Sequence, residues 1–268
     1  MAGSTAAATS RRPRRGLRLL LGLFALALVA CGAWVGVGFL TLTSSQSRRS
    51  FPVAGARLVI DAQAGMVRLT AGAPGVVEVD RHLRNDSLRK PKPAERLQGE
   101  TLTLRDGCPR SGVVIFCEGR YDLRVPADLD LVVVNHSGGV GTSGLAGPLD
   151  LQGDDGGISV DGAARLLRLH TSNATIRATN LRSTDIRAST TDSGITLSFL
   201  VAPERVEADT SNASIRLTVP AGSGPYHVQQ HTSDGRSSIG VKTDPAATRT
   251  LVLRTSSGGD IVVQPAGP

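Results

Sequence analysis

Residues Thr171–Arg177 read TSNATIR, and TSNASIR returns at Thr210–Arg216. A looser version, TTDSGIT, lies between them at Thr190–Thr196. Each phrase places a cluster of turn-forming residues directly before an aliphatic one. Aligned on that aliphatic residue, the pattern extends through Val140, Ile158, Ile176, Ile195, Ile215, Ile239 and Ile261, with successive spacings of 18, 18, 19, 20, 24 and 22 residues. These seven positions are the expected repeat core. A second alternating run precedes several of them: LDLQ at Leu149–Gln152, LRLH at Leu167–His170, IRA at Ile186–Ala188 and VEA at Val206–Ala208. Apolar and polar residues alternate in both runs, the period of a half-buried strand. Thr, Ser, Asn, Asp and Gly between the runs favour turns.

A unit therefore reads strand, polar turn, strand, connection. The fold class expected is all-β: a β-solenoid-like repeat of about 18–24 residues per coil. A flattened β-sandwich with short hairpins is the alternative. In a solenoid each aliphatic residue stacks on its equivalent in the next coil, ~4.8 Å away. That arrangement suits a chain with only 3% aromatic residues, because ladders of Ile, Val and Leu can fill a core that aromatic bulk cannot. Asn173, Gly194 and Asn212 fall where a left-handed backbone is expected, which Gly and Asn tolerate best.

Leu19–Leu42 contains no charged residue. As a helix its length is about 36 Å, enough for a hydrocarbon core of ~30 Å. Five arginines precede it, Arg11, Arg12, Arg14, Arg15 and Arg18. Positive flanks stay in the cytoplasm, so an N-terminal signal anchor with an extracytoplasmic C-terminal domain is expected. The alternative is a lipoprotein anchored at Cys31, since Leu28–Cys31 reads LVAC. The expected organisation is a basic tail (1–18), a transmembrane helix (19–42), a linker (43–55), an extracytoplasmic β-repeat domain (56–264) and a short tail (265–268).

The net charge of +7 belongs mostly to the tail. Without those five arginines, 25 basic side chains face 23 acidic ones. A nucleic-acid binder concentrates positive charge on its folded domain, so no nucleic-acid partner is expected. Cys108 and Cys117 lie on the extracytoplasmic side, where two cysteines this close form a disulfide. Pro109, Ser111 and Gly112 supply the reversal between them.

The stretch from Cys108 to Val160 carries the cysteine pair, YDLRVP at Tyr121–Pro126, and a cadence of SGGV, GLAG and GDDGGISV. In these features it resembles the bacterial putative-adhesin β-strand-repeat family of unknown function. The resemblance extends over most of Ala56–Gln264. It implies a β-solenoid-like fold and, as in several members, one N-terminal membrane helix or lipid anchor. Its motifs are structural and imply no activity.

Catalytic and metal motifs are missing from the chain. The five histidines, His82, His136, His170, His227 and His231, form no close metal-ligating pattern. There is no G-x-S-x-G elbow and no phosphate loop. GVGTSG at Gly139–Gly144 follows a strand without opening a helix. Asp154 and Asp155 form an acidic pair in a turn, the residue type that polysaccharide-cleaving enzymes use on β-helices. Arg81–Glu100 is charged, contains prolines and does not alternate. It reads as a solvated loop, or as a contact for anionic envelope polymer or headgroups. The function expected is a non-catalytic structural or binding role at the cell envelope, without cofactor. The bilayer, and beyond it an envelope polymer or a membrane protein, are the partners expected. The alternatives are an envelope-stress accessory or sensor and a carbohydrate-active enzyme.

Overall fold

The computed structural model describes residues 24–29 and 43–267, except residues 64, 88–89, 110–113 and 163–164. Residues 24–29 are helical. The rest of the expected span, residues 19–42, and Cys31 lie outside the described residues. Among the described residues no helix is long and apolar enough to cross a membrane.

Residues 44–268 form one compact unit, and it is all-β. Its strands are β1 (Thr43–Pro52), β2 (Arg57–Gln63), β3 (Met66–Gly72), β4 (Val76–Ser87), β5 (Ala94–Gln98), β6 (Thr101–Arg105) and β7 (Val114–Pro126). Next come β8 (Asp130–Asn135), β9 (Val140–Ser143), β10 (Leu149–Gly153), β11 (Ile158–Asp161), β12 (Leu166–Thr171), β13 (Ile176–Leu181) and β14 (Asp185–Thr190). The chain ends with β15 (Ile195–Phe199), β16 (Arg205–Thr210), β17 (Ile215–Val219), β18 (His227–Thr232), β19 (Ser237–Ile239), β20 (Thr250–Thr255) and β21 (Ile261–Pro265). They build two sheets. Sheet I has 11 strands in the order β1-β4-β7-β3-β9-β11-β13-β15-β17-β21-β19, and sheet II has 10 in the order β18-β20-β16-β14-β12-β10-β8-β2-β6-β5.

From β8 to β17 the chain alternates between the sheets, and each strand pairs in parallel with the strand two further on. Pairing is in register. In sheet I, Val140 faces Ile158, then Ile176, Ile195, Ile215 and Ile261 follow in one column. In sheet II the matching columns include Leu149–Leu167–Ile186–Val206–Leu251. All of these are buried and belong to one core. Because side chains alternate across a strand, every second residue of the inner strands such as β8, β10, β15 and β17 enters this core.

Four expectations need correction. First, residues 43–52 are not linker; they form the edge strand β1 of sheet I. Second, Arg81–Glu100 is not a solvated loop. It supplies most of β4 and β5, which pair antiparallel with β7 and β6. Third, Ile239 does not hold the place of the other anchors. Ser237 faces Ile261 and Ile239 faces Val263, so Ile239 sits two residues further along and is only partly buried. The reason is the position of β19 at the end of the stack, where one side lacks a covering layer. There the polar pair Ser237 and Gln230, hydrogen-bonded to each other, takes two core columns. Terminal repeats carry such polar substitutions because they face water. Fourth, Asn173, Gly194 and Asn212 are not left-handed. In this part of the stack that conformation occurs at Gly144 and Gly162, just after β9 and β11, and at Asn180, next to last in β13. Asn180 has φ of 56° and marks a bulge in the β13–β15 pairing.

The ends of the stack are transposed. The β2–β3 layer lies between β8–β9 and β6–β7, and the β20–β21 layer lies between β16–β17 and β18–β19. The late spacings of 24 and 22 residues therefore do not describe one coil following another.

The recurring threonine of the opening phrase has a specific task. Thr171, Thr190, Thr210 and Thr255 share one register position at the ends of sheet II strands, and all are buried. Thr190 Oγ1 donates toward the carbonyls of Ser172 and Ala174, at 3.4 and 3.2 Å. Thr171 does the same with Asp154 and Gly156, at 3.4 and 3.2 Å. Each hydroxyl thus ties its coil to the preceding corner. Asn135 holds this place nearer the N-terminal end, donating to the carbonyls of Gly65, Gly138 and Gly139. Thr190→Val keeps the shape and removes the donor. It should cost about 1–2 kcal/mol in chemical denaturation, since a buried carbonyl loses a partner; an unchanged midpoint would show that the hydroxyl adds nothing.

Candidate binding surface

The outer side of sheet I divides into two regions. Its N-terminal part is a lattice of ion pairs. Asp80 on β4 lies directly opposite Asp122 on β7, and like charges so placed repel. Two arginines offset this: Arg48 Nη2 lies 2.8 Å from Asp80 and Arg68 Nη1 lies 3.4 Å from Asp122. His82 Nε2 lies 3.6 Å from Asp80 and 3.8 Å from Asp122. Gln46 adds a donor to Asp80 at 3.2 Å, and Arg124 pairs with Glu78 at 3.1 Å. The hydrogen bond from Arg48 holds the Asp80 carboxyl below its ordinary range, and the same bond raises Arg48. A carboxylate kept ionised in this way is a poor general acid, a role that needs a raised pKa.

From β9 onward the outward residues are mostly small or polar, with two arginines among them. One row runs Gly141, Ser159, Arg177, Thr196, Arg216 and Val262, each in register with the next. A parallel row includes Ser143, Asp161 and Thr179, then Ser198, Thr218 and Gln264. Asp161 accepts from Asn180 Nδ2 at 2.6 Å and from Thr179 Oγ1 at 3.4 Å. Arg177 and Arg216 are exposed and have no ion-pair partner among the described residues. On sheet II, by contrast, Glu207 gathers Arg187, Arg205 and Arg254 within 3.5–3.7 Å.

The polar corners form a third line. Asn173 Nδ2 donates to Asp155 at 3.0 Å, Asn212 to Asp192, and Ser193 Oγ to the carbonyl of Asn173 at 3.0 Å. The exposed half of each repeated phrase thus links one corner to the last, as its buried threonine does inside. Asp154 pairs with His136 at 3.2 Å, and His136 reaches Asp61 at 3.4 Å on its other nitrogen. His170 bonds Ser189 at 2.9 Å, while His227 and His231 lie on the outermost strand of sheet II. Among the described residues no group of three or more His, Cys, Asp or Glu is arranged to hold a metal ion. Gly139–Gly144 supplies β9, so its backbone is committed to the sheet ladder. Cys108 and Cys117 are joined by a disulfide.

Two features were missed from the sequence. One is the threonine column; its signal is the repeated Thr ahead of each corner. The other is the buried pair Arg81–Glu95, which bridges β4 of sheet I and β5 of sheet II. Beside it, Tyr121 is fully buried and its hydroxyl donates to the Arg105 carbonyl at 2.7 Å. Burial, and then the charge of Glu95, raise this phenol above its ordinary value, which keeps it a donor.

No family model matches the chain, and no curated protein matches it. Solved structures do. One is a putative adhesin from Bacteroides fragilis, at 16% identity, covering 82% of this chain and 97% of that one, with a TM-score of 0.45. Another is a putative lipid binding protein from Parabacteroides distasonis, at 9% identity over 81% of this chain and 97% of that one, TM-score 0.47. A third is a putative cell adhesion protein from Clostridium sporogenes, at 7% identity over 83% of this chain and 100% of that one, TM-score 0.34. Two of the three bear adhesion names.

Proposed function

We propose that this chain is a membrane-anchored, extracytoplasmic β-solenoid that binds at the cell envelope without catalysis. Each coil contributes one sheet II strand, a polar corner and one sheet I strand. The observation that carries the reading is the outer side of sheet I from β9 to β21. It repeats two largely polar rows, one in register from Gly141 to Val262 and the other interrupted by the bulge between β13 and β15. Rows of side chains repeating at the strand spacing of ~4.8 Å suit an extended partner such as an envelope polymer better than a small substrate. Anchoring is supported by the uncharged run 19–42 and the arginines before it.

The full chain in detergent is expected to bind isolated envelope fragments. Thr196→Glu with Arg216→Glu, at the centre of the rows, should weaken binding roughly tenfold, about 1.4 kcal/mol. Arg168→Glu with Ser189→Glu places the same charges on sheet II and should leave binding unchanged. Equal loss from the two faces, or loss from neither, would remove sheet I as the binding surface.

A further inference from the structure

We propose that the N-terminal end of the stack docks onto an anionic lipid surface; the proposal rests on the anchored reading above. The charge of the domain is polarised along the stack. Residues 43–126 hold 14 Lys or Arg against 9 Asp or Glu, whereas residues 127–268 hold 11 against 14. The surplus of positive charge stands with all nine carboxylates counted. Four carboxylates at this end, Glu78, Asp80, Glu95 and Asp122, are already engaged by Arg124, Arg48, Arg49 with Arg81, and Arg68. Arg84, Lys90, Lys92, Arg96, Arg105 and Arg120 are exposed and have no ion-pair partner among the described residues.

These six belong to β4–β7 or the segment leading into β5, and these strands lie beside β1 or at the β5 edge, at one end of both sheets. β1 begins at Thr43, the residue after the apolar run. On the anchored reading, this end is the part of the domain joined directly to the membrane segment. Screening limits the reach of such charges to about 8–10 Å, so position decides which of them count. Lysine and arginine at that range are drawn to anionic headgroups, and both donate hydrogen bonds to phosphate. The acidic far end has no such attraction.

The three lysines supply the test. Lys90 and Lys92 lie on the basic end, and Lys242, also exposed, lies on the remainder. The full chain is reconstituted in vesicles of phosphatidylcholine alone, or with phosphatidylglycerol added, and acylated with an amine-reactive ester. Modification of Lys90 and Lys92 relative to Lys242 should fall roughly tenfold on the anionic vesicles and recover when salt screens the contact. The variant Arg96→Ser with Arg105→Ser and Arg120→Ser, checked for retained β structure by circular dichroism, should lose most of that protection. Co-sedimentation with both vesicles at equal lysine ratios overturns the docking and leaves the anchor standing. Failure to co-sediment with neutral vesicles overturns the anchor; protection on anionic vesicles then still supports the docking, and no binding to either overturns both. Equal protection of Lys242 means unspecific coating and overturns the docking. So does protection by a soluble anionic polysaccharide without any by vesicles.

Discussion

Ile176→Asp is expected to abolish folding of the repeat domain, whereas Arg177→Ser should leave its stability within about 0.5 kcal/mol of the parent. The two residues are neighbours in β13, so their side chains leave the strand on opposite sides. Ile176 is fully buried, with Ile158 on one side and Ile195 on the other. A carboxylate placed there would meet two aliphatic side chains and no donor. Burying a charge without a partner costs several kcal/mol or more, and a domain commonly has only about 5–15 kcal/mol in all. Arg177 is exposed and pairs with no carboxylate among the described residues, so its loss breaks no contact of that kind. Ile176→Ala gives a measurable intermediate, about 2–5 kcal/mol from lost burial and a residual cavity. Urea denaturation followed by circular dichroism ranks the three. Tolerance of Ile176→Asp alongside unfolding by Arg177→Ser would put the register off by one. Tolerance of both would mean that the column is not packed.

That column was legible because its information is local. A strand buried on one side alternates, and stacking coils must repeat the alternation at a steady interval. Val140, Ile158, Ile176, Ile195 and Ile215 obey both conditions. Ile239 satisfies the interval loosely but not the neighbour relation, because β21 rather than β19 pairs with β17. Nothing in a spacing says that two layers have exchanged places. The corners were read as turns, correctly, yet the polarity of Thr171 and Thr190 hid their burial. A hydroxyl that satisfies a backbone carbonyl inside looks the same in sequence as one that faces water. The left-handed positions were misplaced for a related reason. Asn173 does stand at the corner, but it is used there for a side-chain bond to Asp155, and the positive φ falls at the Asn180 bulge in β13. The outward rows of sheet I follow from the same alternation as the core, so they were visible in the sequence.

Glu95→Leu is expected to destabilise the domain by about 3–5 kcal/mol, and adding Arg81→Met should restore most of that loss. Arg81–Glu100 read as solvated because it is dense in charge, and Arg81 and Glu95 are 14 residues apart. The antiparallel pairing of β4 with β7 and of β5 with β6 brings them together where the two sheets end. Their side chains are 9% and 1% exposed. Arg81 Nη1 bonds Glu95 Oε1, and Arg49 Nε on β1 lies 3.0 Å from Oε2. Removing only the carboxylate leaves the Arg81 guanidinium buried beside Tyr121 with no counter-charge. Removing both charges substitutes apolar surface of similar volume, which costs little and can stabilise. Arg49 is 56% exposed, so Arg49→Ala should cost no more than about 1 kcal/mol. Denaturation midpoints of the three variants separate a buried pair from a surface one. If Glu95→Leu matches the parent, the pair is solvated and the end of the core is held by other contacts. If the double variant is as unstable as the single one, the loss comes from misfitting side chains rather than from an orphaned charge. The sign of the second substitution therefore decides what closes this end of the stack.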